Sequence, residues 1–159
     1  MGSATRLASA VIGTFIAGLM FFFSVTASGG DFFEPGGLAI RGYDPVAYFT
    51  DNKAVKGAEN FTAQYKGSQF RFAAEANRAA FTANPERYAP QYGGFCAYAV
   101  ALGNKAPIDP AAFTIVDNKL YLNYNKPTEV LWRKDIPGYI AKADRNWPEV
   151  QRKPNPKDN

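Results

Sequence analysis

Phe61, Ala63 and Tyr65 alternate with Thr62 and Gln64, and a few residues later Phe70 and Phe72 alternate with Gln69 and Arg71. A period of two places one set of side chains on one face of a strand, and Lys66-Gly67 between the runs supplies a tight turn, so this stretch predicts a hairpin with one buried face. A second hairpin is predicted over "AFTIVDNKLYLNY", where Asp117-Asn118 separates two β-rich runs and both residue types tolerate positive φ. Upstream, Leu38 and Ile40 alternate with Ala39 and Arg41, which predicts a further strand-like segment turned by "GYDP" (Gly42 to Pro45) before "VAYF".

Between the hairpins the pattern changes. "AAEANRAAFTANPERY" is rich in helix formers and predicts one short helix that stops at Asn84-Pro85, because a residue before proline is pushed out of the helical region. Ile136, Tyr139, Ile140, Ala143 and Trp147 recur at helical spacing, Pro137 suits the first turn of that helix, and Pro148 is expected to end it. No internal repeat of 20 to 50 residues is visible. The elements together predict an α+β fold, a single domain of small antiparallel β-hairpins packed with short α-helices.

The first 27 residues read as a different object, a signal peptide or an N-terminal membrane anchor. Leu7 to Val25 contains no charge, and Val25 and Ala27 occupy the small-residue positions of a cleavage site before Ser28. The run approaches the length that spans a bilayer, so cleavage and retention both stay open. Either outcome places the domain outside the cytoplasm, in a bacterial periplasm. Residues 28–37 form a Gly-rich linker, 38–148 the folded domain, and 149–159 a charged, proline-containing tail expected to be flexible.

Composition narrows the chemistry. The chain has 159 residues, 47% of them hydrophobic, with 18 basic and 14 acidic side chains that are mostly scattered, which argues against nucleic acid as a partner. Histidine is absent, both methionines lie in the N-terminal run, and Cys96 is the one cysteine. Zinc and copper sites want several nitrogen or sulfur ligands, so no metal and no other cofactor is expected. As a nucleophile Cys96 lacks the usual histidine base; as a surface thiol it could cross-link or be oxidised; as a small hydrophobe it needs no partner. Tyr43, Tyr48, Tyr92 and Tyr98 suit either an aromatic pocket or a core with hydroxyls reaching outward. Gly93 and Gly94 suit a close ligand approach or a positive-φ turn, while Asp44 and Asp109, each before proline, suit local turn bonding.

"GYDPVAYF", "NRAAFTANPERYAPQYGGFCAYAVALG", "AFTIVDNKLYLNYN" and "ADRNWP" follow one another in an order that resembles the exported branch of YHS-domain proteins, from about Leu38 to Pro148. The resemblance implies a small α+β domain. It also brings in the wider YHS and TRASH-like group, which is usually proposed to bind metals through cysteine and related ligands. The resulting expectation is an extracytoplasmic binding or accessory module for a small ligand or partner protein, meeting a membrane only through an uncleaved N-terminus. Its candidate ligand residues are Tyr43, Asp44, Tyr48, Tyr92, Gly93, Gly94, Cys96, Tyr98 and Asp109, with no residue assigned a catalytic role. The alternatives are a small enzyme using Asp44 and Asp109 with tyrosine hydroxyls, and a membrane-anchored accessory subunit of a larger complex.

Overall fold

Two-residue turns with left-handed backbone set the architecture. Lys66-Gly67 takes φ of 48° and 78°, and Asp117-Asn118 takes 48° and 60°. Such turns match the twist of paired strands, and each closes a two-stranded antiparallel sheet. The computed structural model describes Gly2 and residues 31–157. The expected export signal or anchor therefore lies outside the described residues, Gly2 aside. β1 (Ala58–Tyr65) pairs with β2 (Ser68–Phe72), and β3 (Asp109–Val116) pairs with β4 (Lys119–Asn123).

The two sheets are the same object built twice. Ala58 faces Phe72 and Thr62 faces Arg71 in the first; Asp109 faces Asn123 and Phe113 faces Leu122 in the second, so every pair, and the bulge between them, recurs 51 residues later. The helices that follow, α2 (Glu75–Ala83) and α5 (Lys126–Trp132), keep that spacing, and Phe81 and Trp132 fill equivalent buried positions. Ahead of each sheet stands a left-handed turn, Ile40-Arg41-Gly42 (φ 44°, 60°, 72°) and Tyr92-Gly93-Gly94 (52°, 61°, 73°). An extended residue and a short helix come next, α1 (Ala47–Thr50) and α4 (Ala97–Ala101). The recurrence, at a spacing of 51 to 52 residues, lies outside the 20 to 50 residues considered in the sequence and lives in backbone geometry, while the side chains of the two copies differ.

The strand expected at Leu38–Arg41 is also corrected. Ala39 and Ile40 are both fully buried, which alternation across one face does not allow, and the positive φ of Ile40 and Arg41 is incompatible with a strand. The turn is held because Ile40 N–H donates to the Phe33 carbonyl (2.8 Å) and Arg41 Nε donates to that of Ile108 (3.0 Å). "VAYF" forms the α1 turn. Asn84 ends α2 as expected, and its side chain then accepts the Arg87 N–H to start α3 (Pro85–Tyr88). α6 (Ile136–Val150) begins with Asp135 capping Gly138 N–H and runs through Pro148. Near a helix end that proline removes a single i−4 bond, and the buried Val150 anchors the last turn.

The first sheet covers a cluster of Phe32, Phe70, Phe72 and Phe81; the second covers a larger one containing Phe33, Phe95, Tyr121 and Trp132. Phe32 and Phe33, within the expected linker, therefore belong to the core. α6 packs on α4 and brings Trp147 within 5.8 Å of the Tyr92 ring and 6.5 Å of the Phe95 ring, half-buried. Trp132 has no exposed surface and lies 5.2 Å from the Tyr121 ring. Emptying a large core site costs about 3 to 5 kcal/mol, so Trp132→Ala should fall in that range. Trp147→Ala should cost about 1 to 2 kcal/mol, since a half-buried ring loses less apolar burial. Denaturant melts of the two variants check the order; a larger loss for Trp147→Ala contradicts it.

Candidate functional site

Asp44 is fully buried, and every one of its contacts is internal. Oδ1 accepts N–H bonds from Val46 (2.8 Å) and Ala47 (3.3 Å), while Oδ2 accepts from Ala73 N–H (2.8 Å) and Asn77 Nδ2 (2.7 Å). The carboxylate thus fastens the start of α1 to the junction between β2 and α2. A buried charge is tolerated when hydrogen bonds fill its lone pairs, as they do here.

Cys96 occupies the same cradle in the second copy. The backbone N–H groups of Ala99, Tyr124 and Tyr98 act on its sulfur. Tyr98 and Ala99 follow Cys96 as Val46 and Ala47 follow Asp44, and Tyr124 opens the β4–α5 junction as Ala73 opens the β2–α2 junction. The thiol in turn donates to Asn123 Oδ1 (3.7 Å), which also accepts from Tyr98 N–H (3.2 Å). Cys96 is 1% exposed, and burial pushes the thiol above its ordinary range despite the N–H groups, which favour the thiolate. A protonated, enclosed thiol is a poor nucleophile and a poor metal ligand. Among the described residues no three of His, Cys, Asp and Glu converge on a metal position. With Asp44 saturated by donors and Cys96 enclosed, the side chains present do not fit a metal of the kind proposed for the wider group.

The remaining expected residues fall in separate places. Tyr48 is buried, donates to the Pro110 carbonyl (3.0 Å), and sits beside Tyr43, Asp109 and Asp44; burial first, then those neighbours, push its hydroxyl up. Tyr43 lies under Lys56, whose Nζ is 4.8 Å from the ring centroid. Asp109 accepts the Ala111 N–H (2.9 Å) and borders a shallow cleft with Arg41, Pro107 and Tyr124. Tyr98 packs on Tyr139, with ring centroids 5.0 Å apart. Tyr92 donates to Asp144 Oδ1 (2.8 Å), and burial and that bond hold its proton. Gly93 and Gly94 have positive φ and also meet the chain's own atoms closely. A Cβ on Gly93 would strike the Asp31 carbonyl oxygen, and one on Gly94 would lie 2.7 Å from Ile40 Cγ2.

Tyr92 and Gly93 do border an open groove, and most of its other walls were not legible beforehand. Two adjoining hollows, of about 460 and 290 Å³, share Asp31, Trp147 and Gln151. Lys105, Arg152 and Lys153 line the first, and Phe32, Tyr65 and Lys66 help line the second. Lys105 Nζ donates to the carbonyls of Gln151 (2.9 Å) and Lys153 (2.7 Å) and to Asn155 Oδ1 (3.0 Å), and Lys153 Nζ donates to the Gly103 carbonyl (2.7 Å). These neutral oxygens fix two ammonium groups without cancelling their charge. Burial lowers the Lys105 pKa, and the nearby Asp31 opposes that shift. The helical spacing of Trp147 pointed only to a core; no local signal joined residues 31, 66, 105 and 152.

The fold and groove define the class: a small α+β module made of two turn–helix–hairpin–helix copies, with an aromatic and cation-bearing groove beside the second. Residues 46–92 match the family model of the YHS domain. That match covers 47 of the 159 residues, from the first short helix to the second left-handed turn, and leaves the second copy's hairpin outside it. No curated protein and no solved structure matches the chain.

Two outcomes follow from the buried groups. Cys96 should react with a thiol reagent at least about a hundredfold more slowly in the folded protein than in denaturant, and Cys96→Ala should destabilise less than Asp44→Ala, which strands three backbone donors and should cost about 3 kcal/mol or more. Fast native labelling, or equal losses, contradicts the shared-cradle description. The second outcome concerns alkaline pH. Burial raises Tyr48 and Tyr92, and burial with the nearby Asp144 and Asp117 pushes Tyr121 up to about 12. The folded protein holds these protons above about pH 10, where unfolded tyrosine loses them, so their stabilisation is complete below about 10 and is lost as pH rises toward 12. Denaturant midpoints should fall across that window in wild type, and less steeply in Tyr121→Phe; an unchanged slope counts against the assignment.

Proposed function

We propose that this YHS-domain protein is an exported, non-catalytic binding or accessory module whose contact surface is the Trp147 groove. The observation that carries the reading is the groove's make-up. An indole and two tyrosine rings, Trp147, Tyr65 and Tyr92, stand beside four cationic side chains, Lys66, Lys105, Arg152 and Lys153. Rings offer a desolvated face and fixed cations add orientation, a combination suited to an anionic partner.

The groups with more reactive chemistry favour the same reading. Asp44 gives both oxygens to backbone and Asn77, Tyr48 gives its proton to a carbonyl, and Cys96 is enclosed. An enzyme built on Asp44 and Asp109 would need the first of these carboxylates to leave the bonds that hold α1 to α2. Placement outside the cytoplasm rests on the uncharged run Leu7 to Val25 and the small residues before Ser28.

Native mass spectrometry of the protein purified from its own host tests the groove. The expected result is a bound mass present in wild type and absent from a folded Trp147→Ala variant. A bound mass that survives Trp147→Ala but is lost in Asp109→Asn would move the site to the Arg41–Asp109 cleft and sink the groove reading.

A further inference from the structure

The groove lies where the folded body meets the N-terminal run. Asp31 forms part of the wall of both hollows, and it lies six positions beyond Val25, the last of the uncharged run. Six residues reach at most about 20 Å when fully extended. Asp31 is tied to the body: its N–H donates to the Lys66 carbonyl (3.3 Å), and the Phe33 N–H two residues on donates to that of Gly93 (2.7 Å). If the run sits in a bilayer, the groove is consequently held within about two or three Debye lengths of the lipid surface.

The charge on that side matches an anionic surface. Lys66, Lys105, Arg152 and Lys153 border the two hollows, against Asp31 and Glu86. Lys105 and Lys153 are pinned by carbonyl oxygens, and Lys66 and Arg152 are exposed. Trp147 and the tyrosines supply the amphipathic rings that settle at the headgroup level of a bilayer. We infer that the Trp147 groove is the membrane-facing side of a retained, N-terminally anchored protein and docks on the phosphate-bearing headgroups of anionic lipid. This inference rests on the groove being the contact surface and names its partner.

The test uses the full chain extracted from membranes and placed in nanodiscs of phosphatidylcholine alone or with added phosphatidylglycerol. Both discs carry brominated acyl chains that quench nearby indoles. Trp132 is enclosed, and a Trp147→Phe variant isolates the Trp147 signal. Trp147 should be quenched several-fold more in the anionic discs. Lys66→Glu with Arg152→Glu should remove most of that difference at an unchanged melting temperature, since each basic residue near an anionic surface contributes about a fivefold preference. Equal quenching in both discs, or a difference that the double variant leaves intact, overturns the inference. A mature chain beginning near Ser28 overturns it as well. In all these cases a bound mass that depends on Trp147 still supports the groove, with a free anion or a protein as its partner; loss of both signals removes the groove reading too.

Discussion

Each half of this protein depends on one buried acceptor. A short helix begins within three residues of position 44 or 96, and a longer helix begins just after the second strand of the following hairpin ends. Both junctions expose backbone N–H groups toward the same point. Left unpaired in the interior, each would cost about 1 to 3 kcal/mol. In the first copy the Asp44 carboxylate meets Val46, Ala47, Ala73 and Asn77. In the second the backbone N–H groups of Ala99, Tyr124 and Tyr98 act on the Cys96 sulfur, which donates to Asn123 Oδ1. These points tie each short helix to the junction that follows its hairpin.

The left-handed turns that precede the acceptors join the copies. Ile40 and Gly94 abut, and Phe33 links them by donating its N–H to the Gly93 carbonyl while accepting the Ile40 N–H. This arrangement explains why glycine is needed at 93 and 94, where the neighbouring chain leaves no room for a Cβ. It also explains the groove. α6 follows the second copy and has no counterpart of its length after the first. It lies against α4 and leaves an open seam beside residues 31–33 and the Lys66-Gly67 turn, and that seam is where Trp147 stands.

What could be read from the sequence was local. Both hairpins were legible because period-two alternation and residues tolerant of positive φ coincide there, and α6 because its apolar positions share one face. Ile40 was misread because a β-branched residue rarely takes left-handed backbone, and only the packing of Phe33 and Gly94 around it imposes that conformation. The repeat escaped notice because equivalent positions carry unlike residues: Phe81 and Trp132, Phe72 and Asn123, Asp44 and Cys96. The turn role of Asp44 and the burial of Cys96 followed from residue type, but their equivalence did not. The groove was illegible because chain segments far apart in sequence build it, with Tyr92 and Gly93 its only members among the expected site residues.

The difference between the two acceptors has a physical reason in Asn123. Where the first copy has Phe72, the second has a fully buried amide whose Oδ1 lies 3.7 Å from the sulfur. A carboxylate at position 96 would set an anion against that oxygen, with no proton between them. A thiol donates its own proton to Oδ1 and leaves a neutral sulfur beside the backbone N–H groups, so no anion meets that oxygen. The same exchange leaves the second cradle uncharged beneath the larger aromatic cluster, where an ion would be hardest to desolvate. On the side of the Trp147 groove, the ammonium groups of Lys105 and Lys153 are instead held by neutral carbonyls at the protein surface, where their charge remains available to a partner.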